Sequence, residues 1–516
     1  SSDPFEHQVK VEVEEKLSVD QILEKYVGSF GTAQLVHVVV VSLAWVFDSM
    51  LTLVAVFADA QPSWHCVKSQ AVDLSKNEKW CTPQSSICEM DQSLWEWVDG
   101  IGASVVSEWN LICSNKFKAG IPASLFFIGC VFGAGILGSL ADACLGRKRT
   151  LILSCLVMSV SGFLTALSPN IWIYSFLRLT TGFGRAGVGI CSLVLSTEAV
   201  GHKRRGQIGL YSFLFFSAGF ASLPAIAYMT KSSWRMTYIF ISSLSMAYCC
   251  IILPFIWESP RWLIIRKREA EALKTLAKMA AWNNKHLPQN VRISIAAEHE
   301  KTNNLNSILT VAWARRRMLV LMAVGGGTGL VYFGMPLNIG NIKFNPYINT
   351  SLNALMEVPA IAAGTLLLPI TDRRLLVSVS SGIYALCCII CSFVSNGWIQ
   401  IVVELTGFLA VCTTFDLTYV FCLELFATEV RSVAVAMLRQ AIMAGAAIAP
   451  WVVVIGRTHS FLSFLVFGGF GVLSALLTLL LPETRNRPVY ETMEEEGEHE
   501  DREERTKLLL YATLLA

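Results

Sequence analysis

Seven ionisable side chains interrupt stretches of this chain that are otherwise almost wholly apolar: Asp48, Arg178, Arg185, Glu357, Glu404, Asp416 and Arg439. A charge held away from water is costly, so such residues mark ion or substrate pathways, proton relays or internal pairs. Asp48 stands about fourteen residues into its stretch, or about 21 Å at 1.5 Å per residue, deep enough to titrate, to pair with a cation or to accept a structural N–H bond. Arg439, with Gln440 beside it, can meet a carboxylate or pair internally with Glu357 or Asp416. The acids slightly outnumber the bases, which suits a cationic or proton-coupled load. Aromatic rings can add a cation–π face for a quaternary ammonium. Candidates are Trp45, Phe47, Phe215, Phe216, Tyr332 and Phe333, with packing and lipid contact as the ordinary alternative. Tyr332 lies between Gly329 and Gly334, glycines that let a helix bend.

The elements that position these residues follow from hydropathy. The chain is 53% hydrophobic and 16% charged, a balance that argues against a soluble enzyme of 516 residues. Twelve apolar runs are each long enough to cross a bilayer: 34–58, 120–141, 149–168, 171–197, 206–229, 236–257, 317–338, 352–371, 375–395, 398–422, 433–456 and 460–481. Two motifs recur in the two halves. Glu198 is followed seven residues on by Arg205, and Glu424 likewise by Arg431, each pair closing an apolar run. Glu258-Ser259-Pro260-Arg261 ends one block, and Pro482-Glu483-Thr484-Arg485 ends the last. Doubled motifs at matching points suggest parallel internal repeats, the plan of many membrane transporters. The predicted fold is an all-α membrane protein with two six-helix bundles, 34–257 and 317–482. A segment 1–33 precedes them, a large loop 60–119 follows the first helix, a linker 258–316 joins them, and an acidic tail 483–516 closes the chain.

Basic residues cluster in alternate loops, at Arg147-Lys148-Arg149, Lys203-Arg204-Arg205, Arg315 to Arg317 and Arg373-Arg374, which predicts cytoplasmic termini. No signal peptide is expected before the first run. The loop 60–119 then faces an oxidising compartment, and its Cys66, Cys81, Cys88 and Cys113 suggest two disulfides of open connectivity; their spacing lacks the close pairs of zinc modules. Asn349-Thr350-Ser351 is a glycosylation sequon on that side. In the linker, Ser259 and Pro260 start an amphipathic helix that is expected to latch the halves, with 283–306 as loop. The glutamate-rich stretch 491–504 is expected to be solvated. A net charge of +2 gives no reason to expect a nucleic-acid partner, and Gly-x-Ser-x-Gly, His-Glu-x-x-His and P-loop patterns are absent.

A set of short motifs, in order along residues 18–490, resembles the organic cation/carnitine transporter branch of the major facilitator superfamily, its plant members in detail. They are Trp45-Val46-Phe47-Asp48, Phe57-Ala58-Asp59-Ala60-Gln61-Pro62-Ser63-Trp64-His65-Cys66, Ser107-Glu108-Trp109-Asn110-Leu111-Ile112-Cys113 and Gly138-Ser139-Leu140-Ala141-Asp142 with Gly146-Arg147-Lys148, then Glu258-Ser259-Pro260-Arg261-Trp262 and Leu423-Glu424-Leu425-Phe426. The resemblance implies the major facilitator fold, with alternating access to a central site and no cofactor. It implies that Glu357 attracts a cation; Asp48, Asp416, Arg439, Gln440 and Tyr332 stand beside it as further candidates for binding substrate or proton. It also implies gating by Asp142, Arg147 and Lys148, and by breakable pairs of Glu198 with Arg205 and of Glu424 with Arg431.

The chain departs from the family pattern in places. Three residues rather than two separate Asp142 from Gly146, Asp372-Arg373-Arg374 lacks the matching glycine, and Ala427 stands where a proline is usual. Met443 occupies the position where cation carriers tend to place Asp, and anion or carnitine carriers Arg. The resulting expectation is a secondary carrier of small organic cations or zwitterions, such as carnitine, a quaternary ammonium or a polyamine, driven by potential or protons. An organic anion carrier and a non-transporting sensor are the alternatives. Glu504 with Leu508 and Leu509 fits an acidic dileucine signal read by a sorting adaptor, so the vacuolar and plasma membranes both stay open.

Overall fold

A computed structural model describes residues 15–67, 87–201, 204–288, 291–293, 305–342, 344–394, 396–485, 490–498 and 502. Twelve helical spans are long and apolar enough to cross a membrane. In the first bundle they are α1 (Thr32–Ala58), α2 (Cys113–Leu145), α3 (Arg147–Thr165), α4 (Ile171–Glu198), α5 (Arg205–Met229) and α6 (Trp234–Phe255). In the second they are α7 (Ala312–Asn341), α8 (Pro346–Leu367), α9 (Arg373–Phe393), α10 (Gly397–Leu425), α11 (Arg431–Gly456) and α12 (Phe461–Thr478). Local signals set several starts. Asn170, Asn345 and Asn396 cap α4, α8 and α10 by accepting from first-turn backbone N–H groups. Two acids do the same from a distance: Glu258 accepts from the N–H of Arg147 and Lys148, and Glu483 from those of Arg373 and Arg374.

The span α8 starts six residues before the predicted run at 352, because Asn349, Thr350 and Asn353 are polar yet fully buried. That corrects the glycosylation assignment: Asn349 is inside the bundle, with no room for a glycan on its side chain.

The internal repeat is visible in the packing. The span α5 lies on α1 through Gly219, where a Cβ would overlap the Val46 carbonyl, and α11 lies on α7 through Gly445, where it would overlap that of Gly326. Between the bundles, α5 packs on α8 and α2 on α11. The face carrying the large loop is tied across the bundles: Phe57 stacks on Tyr347 at 5.2 Å, Lys116 Nζ donates to Thr458 at 2.7 Å, and Arg457 donates to the Asp59 carbonyl at 2.7 Å. At the opposite, terminal face no hydrogen bond or ion pair links the bundles among the described residues. This conformation is sealed at the loop face.

In the loop, β2 (Trp64–Cys66) pairs antiparallel with β3 (Trp95–Trp97). Cys88 and Cys113 form one disulfide; Cys66 is also disulfide-bonded, and Cys81 lies outside the described residues. The linker helix expected to start at Ser259 and latch the halves is instead broken. Ser259 caps only Pro260–Ile265, and the chain turns at Lys267 with φ 58°. A second helix, Glu269–Trp282, buries Ala272, Leu276, Met279 and Ala280 against the amino-terminal segment. Its Asn283 then hydrogen-bonds Thr32, Ala33 and Gln34, so the linker grips the first bundle. Inside the expected loop, β4 (Val291–Ile293) pairs with β1 (Glu15–Leu17). The tail also departs from expectation. Thr428 and Glu429 donate to the carbonyls of Tyr490 and Glu491, and Glu496 is buried in an ion pair with Arg317 at 2.7 Å. Burial of that pair holds 490–498 against the second bundle. The dileucine signal at Glu504, Leu508 and Leu509 lies outside the described residues.

Candidate functional site

Glu357 projects from α8 into the seam between the bundles and is 6% exposed. Ser217 of α5 donates to Oε2, and the Tyr332 hydroxyl of α7 donates to Oε1 at 2.7 Å. One carboxylate thus ties both bundles together. Tyr332 is held in turn by Phe415, stacked at 4.5 Å, and Phe408, stacked at 6.0 Å. Phe216, Phe220, Phe333 and Leu53 complete an apolar lining. A fixed acid among ring faces is the chemistry that holds a soft organic cation.

A second group of charged and polar side chains comes from both bundles. Asp48 of α1 is 1% exposed and meets Arg185 of α4 at 3.2 Å. The guanidinium N–H does not point along that line, so both Asp48 oxygens lack a hydrogen bond. Arg185 also reaches Met443 Sδ at 3.4 Å. Arg439 of α11 donates across the seam to the Ala186 carbonyl at 3.4 Å, and Gln440 to that of Val131 at 3.0 Å. Arg439 therefore pairs with neither Glu357 nor Asp416. Asp416 is half-buried and makes no hydrogen bond or ion pair among the described residues. Arg178 serves structure: it donates to the Leu51 carbonyl at 2.7 Å and lies over the Phe126 ring.

At the terminal face the residues expected to gate gather, in different partnerships from those expected. Asp142 pairs with Arg147 at 2.9 Å, and Lys148 Nζ donates to the Pro254 carbonyl at 2.8 Å. Glu198 and Arg205 are not joined. Glu198 accepts from the Ser259 hydroxyl, while Arg205 and Arg261 both donate to Asp20 of the amino-terminal segment. Glu424 and Arg431 are also apart: Glu424 pairs with Arg373 at 3.1 Å and accepts from Thr484 at 2.6 Å, and Arg431 donates weakly to the Phe426 carbonyl at 3.5 Å. A serine and a threonine arriving from distant segments take these places instead. The halves match here: Glu258 and Ser259 stand to α3 and Glu198 as Glu483 and Thr484 stand to α9 and Glu424. Burial works against ionisation of Asp20, yet Arg261 and Arg205 hold its carboxyl below the ordinary range.

The sequence singled out Glu357, Tyr332, Asp48, Arg185 and Arg439 one by one, but not the pairing of Asp48 with Arg185, and Arg439 meets a backbone carbonyl instead of the acids expected for it. Sequence reasoning missed Ser217 and Asp20, ordinary residues with no motif around them. The capping role of Glu258 and Glu483 was foreshadowed only by the repetition of their motifs. Ala427 puts its departure to use, since its N–H, which a proline lacks, donates to Glu496 at 3.0 Å.

Comparison with known proteins agrees with this architecture. The profile of the sugar (and other) transporter family matches residues 39–495. The organic cation/carnitine transporter 3 of Arabidopsis thaliana is 40% identical over 490 residues, 93% of each chain. Transporter 2 of the same series is 39% identical, over 93% of this chain and 94% of that one. Solute carrier family 22 member 3 of Mus musculus is 29% identical over 78% of this chain and 73% of its own. The inward open xylose transporter XylE from E. coli superposes with a TM-score of 0.62 at 15% identity, over 88% of this chain and 98% of that one, a likeness of fold. The chain is a transporter and not an enzyme, and it belongs to the organic cation/carnitine transporter branch of the major facilitator superfamily.

Proposed function

We propose that this chain is a secondary carrier of small organic cations or zwitterions, with Glu357 as the group that attracts the cation. The observation that supports it most is the placement of that carboxylate: it is clamped by Ser217 and Tyr332 from opposite bundles and walled by aromatic rings. A cation that displaces Ser217 releases one bundle from the other, which couples occupancy to exchange of access. The names of the plant relatives support the same substrate class. Asp48 is the candidate for proton coupling, because its two oxygens lack hydrogen bonds while Arg185 stands within reach. Asp416, Arg439 and Gln440 line the path beside them. We take the terminal face as cytoplasmic, since the basic clusters lie there.

Uptake into proteoliposomes of labelled tetraethylammonium, L-carnitine, spermidine and an organic anion, with and without an inward proton gradient, tests the reading. Uptake of at least one cation or zwitterion, raised by the gradient, is the expected result. Uptake of the anion alone contradicts it.

A further inference from the structure

Glu404, one helical turn from the Glu357 clamp along both α8 and α10, has no charged partner among the described residues. It lies on α10, about 10 Å below the loop-face end at 1.5 Å per residue, and is 1% exposed. Asn353 of α8, fully buried, faces it. The Asn353 amide has a fixed orientation, because Nδ2 donates to the Asn349 carbonyl at 3.1 Å, to Asn349 Oδ1 at 3.2 Å and to Glu404 Oε2 at 3.3 Å. Two acceptors are left without a donor: Glu404 Oε1 and Asn353 Oδ1. The other titratable groups around Glu404 are the thiols of Cys388 and Cys391 on α9 and of Cys412 on α10. No Lys, Arg or His pairs with it among the described residues.

An ionised carboxylate here would leave both acceptors bare in a medium that cannot solvate them. One proton on Oε1 resolves both defects. The O–H then donates to Asn353 Oδ1 while Nδ2–H keeps donating to Oε2, giving a closed acid–amide pair. A metal ion is a poor fit, since no cluster of three acid, histidine or cysteine ligands occurs among the described residues.

We propose that Glu404 and Asn353 form a proton-binding site inside the second bundle, distinct from Asp48 and Glu357. It takes a proton from water when open to one side and returns it to water when movement of α8 against α10 separates the pair. This deepens the transport reading and rests on it.

The test uses the full-length protein in proteoliposomes, with tetraethylammonium uptake and infrared difference spectra across pH as separate readouts. Glu404→Gln preserves both hydrogen bonds, its Nε2 taking the place of the acid O–H, so it is expected to fold, as checked by its Tm and monodispersity beside wild type. It is expected to lose the stimulation by a proton gradient. Wild type is expected to show a protonated-carboxyl band at neutral pH that is missing from Glu404→Gln. Asn353→Leu, which removes the amide, should also lose the stimulation. Full gradient stimulation in Glu404→Gln, a wild type indifferent to the gradient, or a band unaffected by Glu404→Gln would overturn the proposal. If wild type takes up no tetraethylammonium, the transport reading fails, while the infrared band still decides the state of Glu404.

Discussion

At the scale of single residues, the seam of this molecule is governed by how few groups satisfy each buried charge. Glu357 has two hydroxyl donors, Ser217 and Tyr332, and both are uncharged, so the cation proposed to bind there would meet no competing base on that carboxylate. Removing the phenol hydroxyl in Tyr332→Phe leaves the ring stack intact and takes one donor away. A hydrogen bond of this kind contributes about 1 kcal/mol, so the apparent KM for tetraethylammonium should rise roughly fivefold with little change in maximal rate. Kinetics of the purified variant check this. The acids and bases at membrane depth were legible in the sequence because charge in an apolar run is conspicuous. Their partners were not. Ser217 is one serine among many in the spans, and only the packing of α5 on α8 brings it to Glu357.

At the scale of elements, the terminal face is organised by helix ends. The first-turn N–H groups of α3 and α9 have no intrahelical partner, and Glu258 and Glu483 fill that role with a full negative charge at the positive end of each helix. Glu258→Gln and Glu483→Gln should each cost about 1 kcal/mol, seen as a lowered Tm in detergent, and the two should be alike. The amino-terminal segment adds a pH-sensitive attachment. The carboxyl of Asp20 is held below its ordinary range by Arg261 and Arg205 against the effect of burial, so its contribution is present above the ordinary carboxylate range and lost as pH falls through the depressed value. Limited proteolysis near Asp20 should accelerate on acidification in wild type, and should already be fast at neutral pH in Asp20→Asn. The motifs at these ends were visible as repeats, and repetition alone predicted equivalence of the halves correctly. It did not predict partners, because the Glu198 and Glu424 carboxylates are claimed by Ser259 and Thr484, which arrive from distant parts of the chain.

At the scale of the whole molecule, two six-helix bundles meet across a seam that is tied at the loop face and, among the described residues, unlinked by hydrogen bond or ion pair at the terminal face. Each bundle also carries a strap at the terminal face: Asp20 on the first, Glu496 on the second. Glu496→Gln weakens a buried charge-assisted bond to Arg317, a loss of about 2 kcal/mol, and should lower the Tm and expose 490–498 to protease. Twelve spans and their order were readable from hydropathy alone. The start of α8 was not, since its polar, inward-facing first turns depress the hydropathy on which such a reading depends. The docked tail was hidden for a similar reason: a run of glutamates reads as solvated unless the buried arginine awaiting one of them is known.

The account as a whole stands on Glu357 as the cation's counter-charge. The direct measurement compares tetraethylammonium uptake into proteoliposomes by wild type and by Glu357→Gln, which keeps the size and hydrogen-bonding capacity of the side chain and removes its charge. Uptake by wild type that is lost in the variant, with the variant still folded and monodisperse, is the predicted result. Equal uptake by both would contradict the account, and would move the search for the cation's partner to Asp416.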